Sequence, residues 1–402
     1  MKKSLLFLLL ILCFNLHAEV LSQWRGPQRD GKYPEQNLIS AWPAGGPQKV
    51  WSASGLGIGY SSPAVTSQAV YVTSLVGENG ILFALDHQGK LLWKTIYGKE
   101  WSGGHEGARS TPTVVDDRIY LISGVGTAVC LTTSGKVVWS VDLLKTFGGR
   151  LPEWGMAESP LIDGDRMICT PGGVSVLMAA LDRHTGKTVW QCKGNGELSA
   201  YCSPLLVKHG NRSLILTMTQ KSVIGVDAES GELLWRQPHI TSWDVNPNTP
   251  LYSEGRVFAL SGYGTGGQML ELSPEGSKVK QLFTAKAPDS QMAGAVWIGD
   301  FIYSSGHNSR GWACLDAKTG KLMWTAREYG GKGPLIAADG LLYLYSERGD
   351  VVLVRPNPQK FEPVSAFSIT EGSGPHWAHP VIHAGRLYIR HGDVLLVYDI
   401  SK

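Results

Sequence analysis

The sequence predicts an all-β fold, an eight-bladed β-propeller whose blades are four-stranded antiparallel sheets. A hairpin motif recurs along the chain at a spacing of roughly 40 to 50 residues, which is typical of propeller blades. A second recurring feature, a dipeptide ending in Pro, precedes a short apolar strand in almost every unit. Glycine is abundant, at 49 of 402 residues, without a collagen-like period, so the glycines indicate many turns.

The hairpin motif joins the third and fourth strands of a unit. A small residue and an apolar residue are followed in most copies by Asp, then by a short turn that contains Gly, and two further residues lead to Trp. Gly supplies the positive φ that such a turn needs. The best copies are residues 84–93, 130–139, 180–190, 225–235 and 314–324.

The Pro dipeptides mark the start of the first strand of each unit. A turn and a second strand follow them, as in residues 115–121 and 162–168, so each unit holds four strands. A sheet tolerates Pro at the first residue of a strand. The dipeptides are Ser62-Pro63, Thr111-Pro112, Ser159-Pro160, Ser203-Pro204, Thr249-Pro250, Gly333-Pro334 and His379-Pro380, and residues 293–296 occupy the remaining slot.

The two ends of the repeat array complement each other. The eighth unit ends at residues 397–400 without a fourth strand, whereas residues 48–51 near the start form an isolated strand that ends on Trp51. Pairing these two segments closes the ring and removes exposed sheet edges. Units five and seven carry Phe283 and Phe367 near the position at which Trp is expected.

These repeats resemble those of the PQQ-like β-propellers, a family that includes quinoprotein dehydrogenases and the outer-membrane assembly lipoprotein BamB. The resemblance covers residues 48–402, and residues 23–27 and 29–31 are similar to the N-terminus of an environmental bacterial branch of the family. It implies that the motif tryptophans dock between neighbouring blades and form a structural girdle. These residues are Trp51, Trp93, Trp139, Trp190, Trp235 and Trp324.

The N-terminus has the pattern of a secretory signal peptide. Lys2 and Lys3 precede 11 apolar residues at 4–14, and Ala18 offers a cleavage site. The apolar run is too short to span ~30 Å of hydrocarbon. Leu12 before Cys13 disfavours the alternative of a lipoprotein. We therefore expect a signal peptide at 1–18, an extended segment at 19–47 and the propeller at 48–402, in a periplasmic or secreted monomer without a transmembrane segment.

Charge and cysteine usage exclude several classes of function. Removing Lys2 and Lys3 from 37 basic residues leaves 35 against 34 acidic ones, and no basic run exceeds two residues, so we expect no nucleic-acid partner. Five cysteines follow the signal peptide, with no C-x-x-C pair to form a zinc knuckle or to attach haem. A disulfide among them stays open, because the sequence does not determine a pairing.

The unusual residues concentrate in the loops on one face of the predicted ring. This loop-rich face carries the blade-to-blade connections and the loops between second and third strands, and a polar ring around a central mouth is the default ligand site of such a fold. The expected ring and its neighbours are Arg109, Glu158, Cys202, Asn248, His307, His379 and His391, with Trp154, Trp243 and Trp377 as aromatic candidates. The structural alternative is that these groups satisfy loop backbone, with Arg109 paired to Glu158.

Other local motifs carry weaker signals. Residues 261–267 are Gly-rich like a phosphate loop, but they lack the Lys and the helix that a nucleotide site needs. His376 and His379 have the three-residue spacing of metal ligands, and we expect His391 on the same face. No nucleophile elbow is present.

Two functions from different classes remain. The favoured one is a non-catalytic binding or scaffold module that presents its loop-rich face to an envelope protein, a peptide or a glycan. The alternative, implied by the resemblance, is a quinoprotein oxidoreductase acting on an alcohol or sugar with PQQ and Ca²⁺, for which Glu158, Asn248 and Asp244 offer oxygen ligands and a base. The chain lacks both the adjacent Cys pair and the C-x-x-C-H motif associated with that chemistry. A different hydrolytic or sugar-active role is the third option.

Overall fold

A computed structural model describes residues 21–194 and 196–402, so the expected signal peptide and Cys13 lie outside the described residues. Within this part of the chain eight sheets form the blades of a propeller, and seven of them are built on four consecutive antiparallel strands. The eighth combines three consecutive strands with one strand from the start of the array. The predicted fold is therefore confirmed. None of the helices in the described residues is long and apolar enough to cross a membrane.

The first four blades follow one another along the chain. Blade 1 consists of Ala64–Val65, Val70–Val76, Asn79–Leu85 and Leu91–Lys99, and blade 2 of Thr113–Val115, Arg118–Ile122, Thr127–Thr132 and Val137–Asp142. Blade 3 consists of Leu161–Asp163, Arg166–Cys169, Met178–Asp182 and Thr188–Cys192, and blade 4 of Leu205–His209, Arg212–Met218, Ser222–Asp227 and Leu233–Pro238. A short helix at Leu143–Phe147 follows blade 2.

The last four blades complete the ring. Blade 5 consists of Leu251–Ser253, Arg256–Ser261, Gly266–Leu272 and Val279–Ala285, and blade 6 of Ala295–Ile298, Phe301–Ser305, Trp312–Asp316 and Leu322–Ala326. Blade 7 consists of Leu335–Ala338, Leu341–Tyr345, Asp350–Val354 and Pro363–Ser368, and blade 8 of Val381–His383, Arg386–His391, Val394–Asp399 and Gln48–Ala53. Single 3-10 turns lie at Ser242–Asp244 and Glu328–Gly330.

Blade 8 closes the ring as predicted. Its outermost strand, Gln48–Ala53, pairs antiparallel with Val394–Asp399, and Trp51 lies opposite Val397. A strand from the start of the array thus completes the blade formed at its end.

Local hydrogen bonds explain why the hairpin motif contains Asp and Gly. In blade 3, Asp182 Oδ1 accepts hydrogen bonds from the backbone N–H of Thr185 at 2.8 Å and from its hydroxyl at 2.7 Å. Gly186 follows with φ of 72°. The turn is therefore specified by a side-chain acceptor and by a backbone conformation that favours glycine.

The motif tryptophans link neighbouring blades. Each indole N–H donates to a backbone carbonyl in the hairpin turn of the next blade, at 2.8 to 3.2 Å. The six pairs are Trp51 with His87, Trp93 with Thr133, Trp139 with Arg183, Trp190 with Ala228, Trp235 with Gly276, and Trp324 with Asn357. A Cβ added to Gly186 would lie 2.9 Å from the Trp139 ring, so turn glycine and preceding tryptophan fit as a pair.

The hydrophobic core is divided among the interfaces between blades. Leu82 of blade 1 packs with Val114 and Leu121 of blade 2, and Met178 of blade 3 belongs to one cluster with Ile215 of blade 4. The cysteines contribute to these interfaces as free, buried thiols at positions 130, 169, 192, 202 and 314.

The Pro dipeptides of blades 1 to 4 are linked by hydrogen bonds along the central channel. Ser62 N–H donates to Thr111 Oγ1 at 3.0 Å, Thr111 N–H to Ser159 Oγ at 2.9 Å, and Ser159 N–H to Ser203 Oγ at 2.9 Å. A hydroxyl before Pro therefore satisfies a backbone donor of the preceding blade. This explains why Ser or Thr recurs at that position.

The N-terminal segment runs inside the central channel, which the sequence did not predict. Leu21–Ser22 pairs antiparallel with Thr113–Val115, the innermost strand of blade 2. Lys32–Tyr33 pairs in parallel with Leu335–Ala338, the innermost strand of blade 7. The segment between them bridges two blades that lie far apart in the ring, so it occupies the channel.

Two buried arginines hold this segment in place. Arg25 donates to the carbonyl of Ala295 at 2.6 Å, and Arg29 donates to that of Pro204 at 2.7 Å and to that of Pro160. Both side chains are fully enclosed, with 2% and 1% of their surface exposed. Burial lowers the pKa of both guanidinium groups, to about 10 for Arg25 and about 9 for Arg29. Backbone carbonyls that line the channel thus replace water as hydrogen-bond partners of the two guanidinium groups. The two side chains fill space that would otherwise be open in the channel.

Candidate functional site

A cavity of about 250 Å³ lies at the centre of the loop-rich face. Its lining comes from every blade-to-blade connection except that between blades 6 and 7, together with the inner loop of blade 5 and the N-terminal segment. Six aromatic side chains dominate the wall: Trp24, Tyr60, Trp154, Tyr201, Tyr263 and Trp377. The cavity is therefore built by the whole ring rather than by one blade.

One sequence position supplies nearly half of the lining residues. It stands three residues before the Pro of each dipeptide, or before Gly294 in blade 6, and its side chain faces the cavity in seven of the eight blades. The residues are Tyr60, Arg109, Ala157, Tyr201, Pro247, Gln291 and Trp377. Because side chains alternate in an extended segment, the next residue along does not line the cavity in six of these seven blades, the exception being Met292 in blade 6.

The structure brings four of the predicted candidates together and separates the others. Arg109, Trp154, Trp377 and His379 line the cavity. Trp243, with 67% of its surface exposed, lies on the 3-10 turn and does not line it.

Glu158, Cys202 and Asn248 are buried and do not line the cavity. They occupy the position one residue after the lining position. Asn248 Oδ1 accepts from Gly294 N–H at 2.9 Å, and its amide nitrogen donates to two carbonyls. No ion pair joins Arg109 to Glu158 in the part of the chain that the structure describes. The expected ring was thus placed one residue late in these blades.

The candidate histidines support loops with their ring nitrogens. His307 Nδ1 accepts from Tyr263 N–H at 3.1 Å and fixes that cavity residue. His391 places its two nitrogens 2.7 Å from the carbonyls of Glu371 and Gly374, and its ring stacks on His376 at 3.6 Å. Burial and the neighbouring His391 lower the pKa of His376 to about 4.

His379 is held as a neutral tautomer. Its Nδ1 accepts from Arg25 Nη1 at 3.0 Å, so the proton is on Nε2, which donates to the carbonyl of Met292 at 3.1 Å. Burial and the charge of Arg25 keep the pKa of His379 well below its usual value. With both nitrogens engaged, His379 has no lone pair for a metal ion.

The oxygen ligands considered for Ca²⁺ do not form a binding site. Asn248 is saturated by internal hydrogen bonds, Glu158 is enclosed beside Thr170, and Asp244 lies on the 3-10 turn with Trp243. Among the described residues no group of three His, Cys, Asp or Glu side chains could hold a metal ion. The residues present therefore do not fit the calcium-dependent quinone site of the alternative function.

The aromatic side chains form two walls near Arg109. Tyr60 and Trp377 have ring centroids 5.0 Å apart at an interplanar angle of 54°, and Trp154 and Tyr201 lie 6.2 Å apart at 42°. Trp24 of the N-terminal segment packs edge-on against His379 at 4.5 Å and donates its indole N–H to Thr249 Oγ1. The channel segment thus contributes directly to the cavity.

Three lining residues have strained backbone conformations. His105, Tyr201 and Tyr263 have φ values of 54°, 72° and 59°. A left-handed conformation costs a residue other than glycine roughly 1 to 2 kcal/mol. The surrounding loops stabilise these conformations, which direct large side chains toward the cavity, and such strain is concentrated at functional sites in proteins.

Sequence reasoning missed Trp24, Tyr60, Tyr201, Tyr263 and Gln291. Tyr60 and Tyr201 stand at the common lining position, so they could have been found by aligning the units on Pro and searching for aromatic residues three positions earlier. Nothing in the sequence places Trp24 at the cavity, because it lies outside the repeats.

Comparison with known proteins supports the fold. A family model described as outer membrane protein assembly factor BamB matches residues 78–285 and 214–361. No curated protein matches the sequence. BamB from Moraxella catarrhalis is similar in structure, with a TM-score of 0.64 and 17% identity over 88% of this chain and 97% of that one.

Two dehydrogenase structures are similar to the same degree. The quinohemoprotein alcohol dehydrogenase from Comamonas testosteroni has a TM-score of 0.67 and 12% identity over 93% of this chain and 79% of its own. A europium-containing methanol dehydrogenase has a TM-score of 0.69 and 13% identity over 92% and 90%. At these identities the likeness is one of fold.

Proposed function

The chain belongs to the PQQ-like repeat β-propeller family, and on that premise we propose that it is an exported binding module that acts through the loop-rich face. Its ligand is a ring-bearing group, carried by a small molecule or by an envelope protein, peptide or glycan. The observation that carries this proposal is the aromatic cavity, built by seven blade-to-blade connections. Large aromatic side chains provide apolar surface at low entropic cost, which suits recognition of rings.

The chemistry of the lining favours binding over catalysis. In the described residues no Asp, Glu, Lys or Cys lines the cavity, so it holds no carboxylate base, amine or thiolate nucleophile. Ser203 Oγ is the acceptor for Ser159 N–H, and both nitrogens of His379 are engaged. This supports the binding module over a hydrolytic or sugar-active enzyme.

Export is the second part of the proposal. It rests on the basic residues, the apolar run and the small residue at the predicted cleavage site before Glu19. The mature protein then meets its partner in the envelope or outside the cell.

A cavity-filling variant tests the binding role. Ala157 lines the cavity at the common position, so Ala157→Trp should fill it without removing any contact. Val189→Trp is the control, because Val189 lies on an outer strand with 52% of its surface exposed. The probes are indole, the dipeptide Phe-Phe, glucose, and PQQ with and without Ca²⁺.

We expect at least one ring-bearing probe to raise the melting temperature of the native protein and of Val189→Trp, but not of Ala157→Trp. At a hundredfold excess over Kd, binding adds roughly 2.7 kcal/mol of stability. An equal shift in Ala157→Trp, or no shift with any probe, would contradict the proposal. A shift confined to PQQ with Ca²⁺ would support the dehydrogenase instead.

A further inference from the structure

We infer that the cavity selects ligands in which an aromatic ring carries an anionic group, and that Arg109 is the residue that binds the anion. This inference rests on the proposed binding function of the same cavity. It names the class of ligand that the lining residues distinguish.

The cavity carries one permanent charge. Arg109 is the sole Arg or Lys among the lining residues that the structure describes, and no carboxylate lines the wall beside it. A polyhydroxylated ring would meet few acceptors for its hydroxyl groups, and an amine would meet a cation. An anion is the polar group that this lining can stabilise.

Arg109 has only neutral partners. Its Nη1 donates to the carbonyl of Trp154, and its Nη2 donates to the carbonyls of His105 and Gly104. These bonds hold the guanidinium plane between two blade connections, but they leave its charge uncompensated. A guanidinium already oriented in this way binds a carboxylate with little loss of side-chain entropy.

The carboxylate that influences Arg109 most is not free to pair with it. Glu100 is buried behind the loop, where Tyr97 Oη donates to its Oε2 at 2.5 Å and Trp101 N–H donates to its Oε1 at 2.8 Å. Both oxygens are therefore engaged away from the cavity. In the described residues no Asp or Glu oxygen lies within ion-pair distance of Arg109.

The two aromatic walls lie next to this cation. Arg109 bonds to the backbone of Trp154, whose ring packs with Tyr201. It also bonds to the backbone of His105, whose ring lies 5.5 Å from that of Trp377. A ligand ring held by either wall would present a short acidic substituent to the guanidinium. Ring and anion are thus recognised together.

Three probes with the same ring test the inference: indole-3-propionate, its neutral amide indole-3-propionamide, and the amine tryptamine. Isothermal titration of the native protein should give the tightest Kd for the carboxylate, by roughly tenfold over the amide, because a charge-assisted hydrogen bond replaces a neutral one. Tryptamine should bind most weakly. Arg109→Met should abolish the difference between carboxylate and amide. Arg150→Met, which removes an exposed cation from the same face, should preserve it.

The outcomes separate this inference from the binding function. Equal affinity for all three probes would overturn the anion preference and leave the ring-binding cavity intact. Absence of binding by all three, in protein that melts cooperatively, would overturn both. A carboxylate preference that survives Arg109→Met would also refute the role of Arg109. Should Arg109→Met fail to fold, the salt dependence of the native protein decides, because the carboxylate's advantage must shrink as ionic strength rises.

Discussion

Glu158 allows a sharp test of how burial controls ionisation beside the channel. Its carboxyl group is 3% exposed, Oε2 accepts from Thr170 N–H at 3.0 Å, and Oε1 has no partner among the described residues. Arg29 favours its ionised form from the channel side, but desolvation is the larger effect and raises the pKa of Glu158 to about 8. The buried thiols of Cys169 and Cys202 also face this carboxyl group.

The sign of the pH effect follows from this pKa. A carboxyl group whose pKa is higher in the folded than in the unfolded state binds its proton more tightly when folded. Its contribution to stability is complete below the unfolded pKa, near 4.5, and is lost as pH rises toward about 8. One unit of pKa shift corresponds to about 1.4 kcal/mol, so the loss is about 4 kcal/mol at pH 8.

Glu158→Gln should remove this loss. The amide keeps an acceptor for Thr170 N–H but cannot ionise, so the variant and the native protein should be equally stable near pH 5. At pH 8 the variant should be more stable, by up to about 4 kcal/mol. Urea unfolding at pH 5, 6, 7 and 8, followed by tryptophan fluorescence, measures the difference. Glu232→Gln, at an exposed position, serves as the control. A stability difference that does not change with pH would refute the reasoning.

Three further substitutions test the fold. Trp190→Phe should lower the free energy of unfolding by about 1 to 3 kcal/mol, because it removes a buried indole donor. Trp297→Phe is the control, because the N–H of that ring bonds only within its own turn. It should have a smaller effect in the same thermal melt. Gly186→Ala should lower the melting temperature because of its positive φ, at a cost of about 1 kcal/mol or more; an unchanged value would contradict the turn assignment. Arg29→Ala should destabilise the protein by more than about 2 kcal/mol. Lys32→Ala should leave stability nearly unchanged, because the Lys32 side chain is about half exposed. Equal effects of the two substitutions would argue against the channel contacts.

The propeller could be predicted because its rules are local and repeated. Four of the hairpin turns carry their own Asp acceptor and their own Gly, as Asp182 and Gly186 illustrate. The blade count followed from the recurrence of these features, and the closure followed from the one strand without a partner, which ends at Trp51. Because the same blade architecture recurs eight times, its sequence pattern is easy to recognise.

The candidate site was harder to predict because it depends on which of two alternating residues faces the cavity, and on a segment that lies outside the repeats. Alternation along each connection decides whether Ala157 or Glu158 faces the cavity, and one residue of error exchanges the two. No sequence pattern marks Arg25 and Arg29 as buried residues, since arginine is seldom buried without a carboxylate partner. Only the carbonyls of distant inner strands, which no local pattern reveals, explain their burial.

The threaded channel also constrains the order in which the chain can fold. Leu21 pairs with Val115, Lys32 with Ala337 and Trp51 with Val397. Residues near the start of the chain therefore pair with residues that lie much further along the sequence. Contacts between residues so far apart in the sequence slow folding, because closing a large loop costs conformational entropy before the new contacts can offset that cost. The last blade therefore cannot become a finished unit until both ends of the array have met.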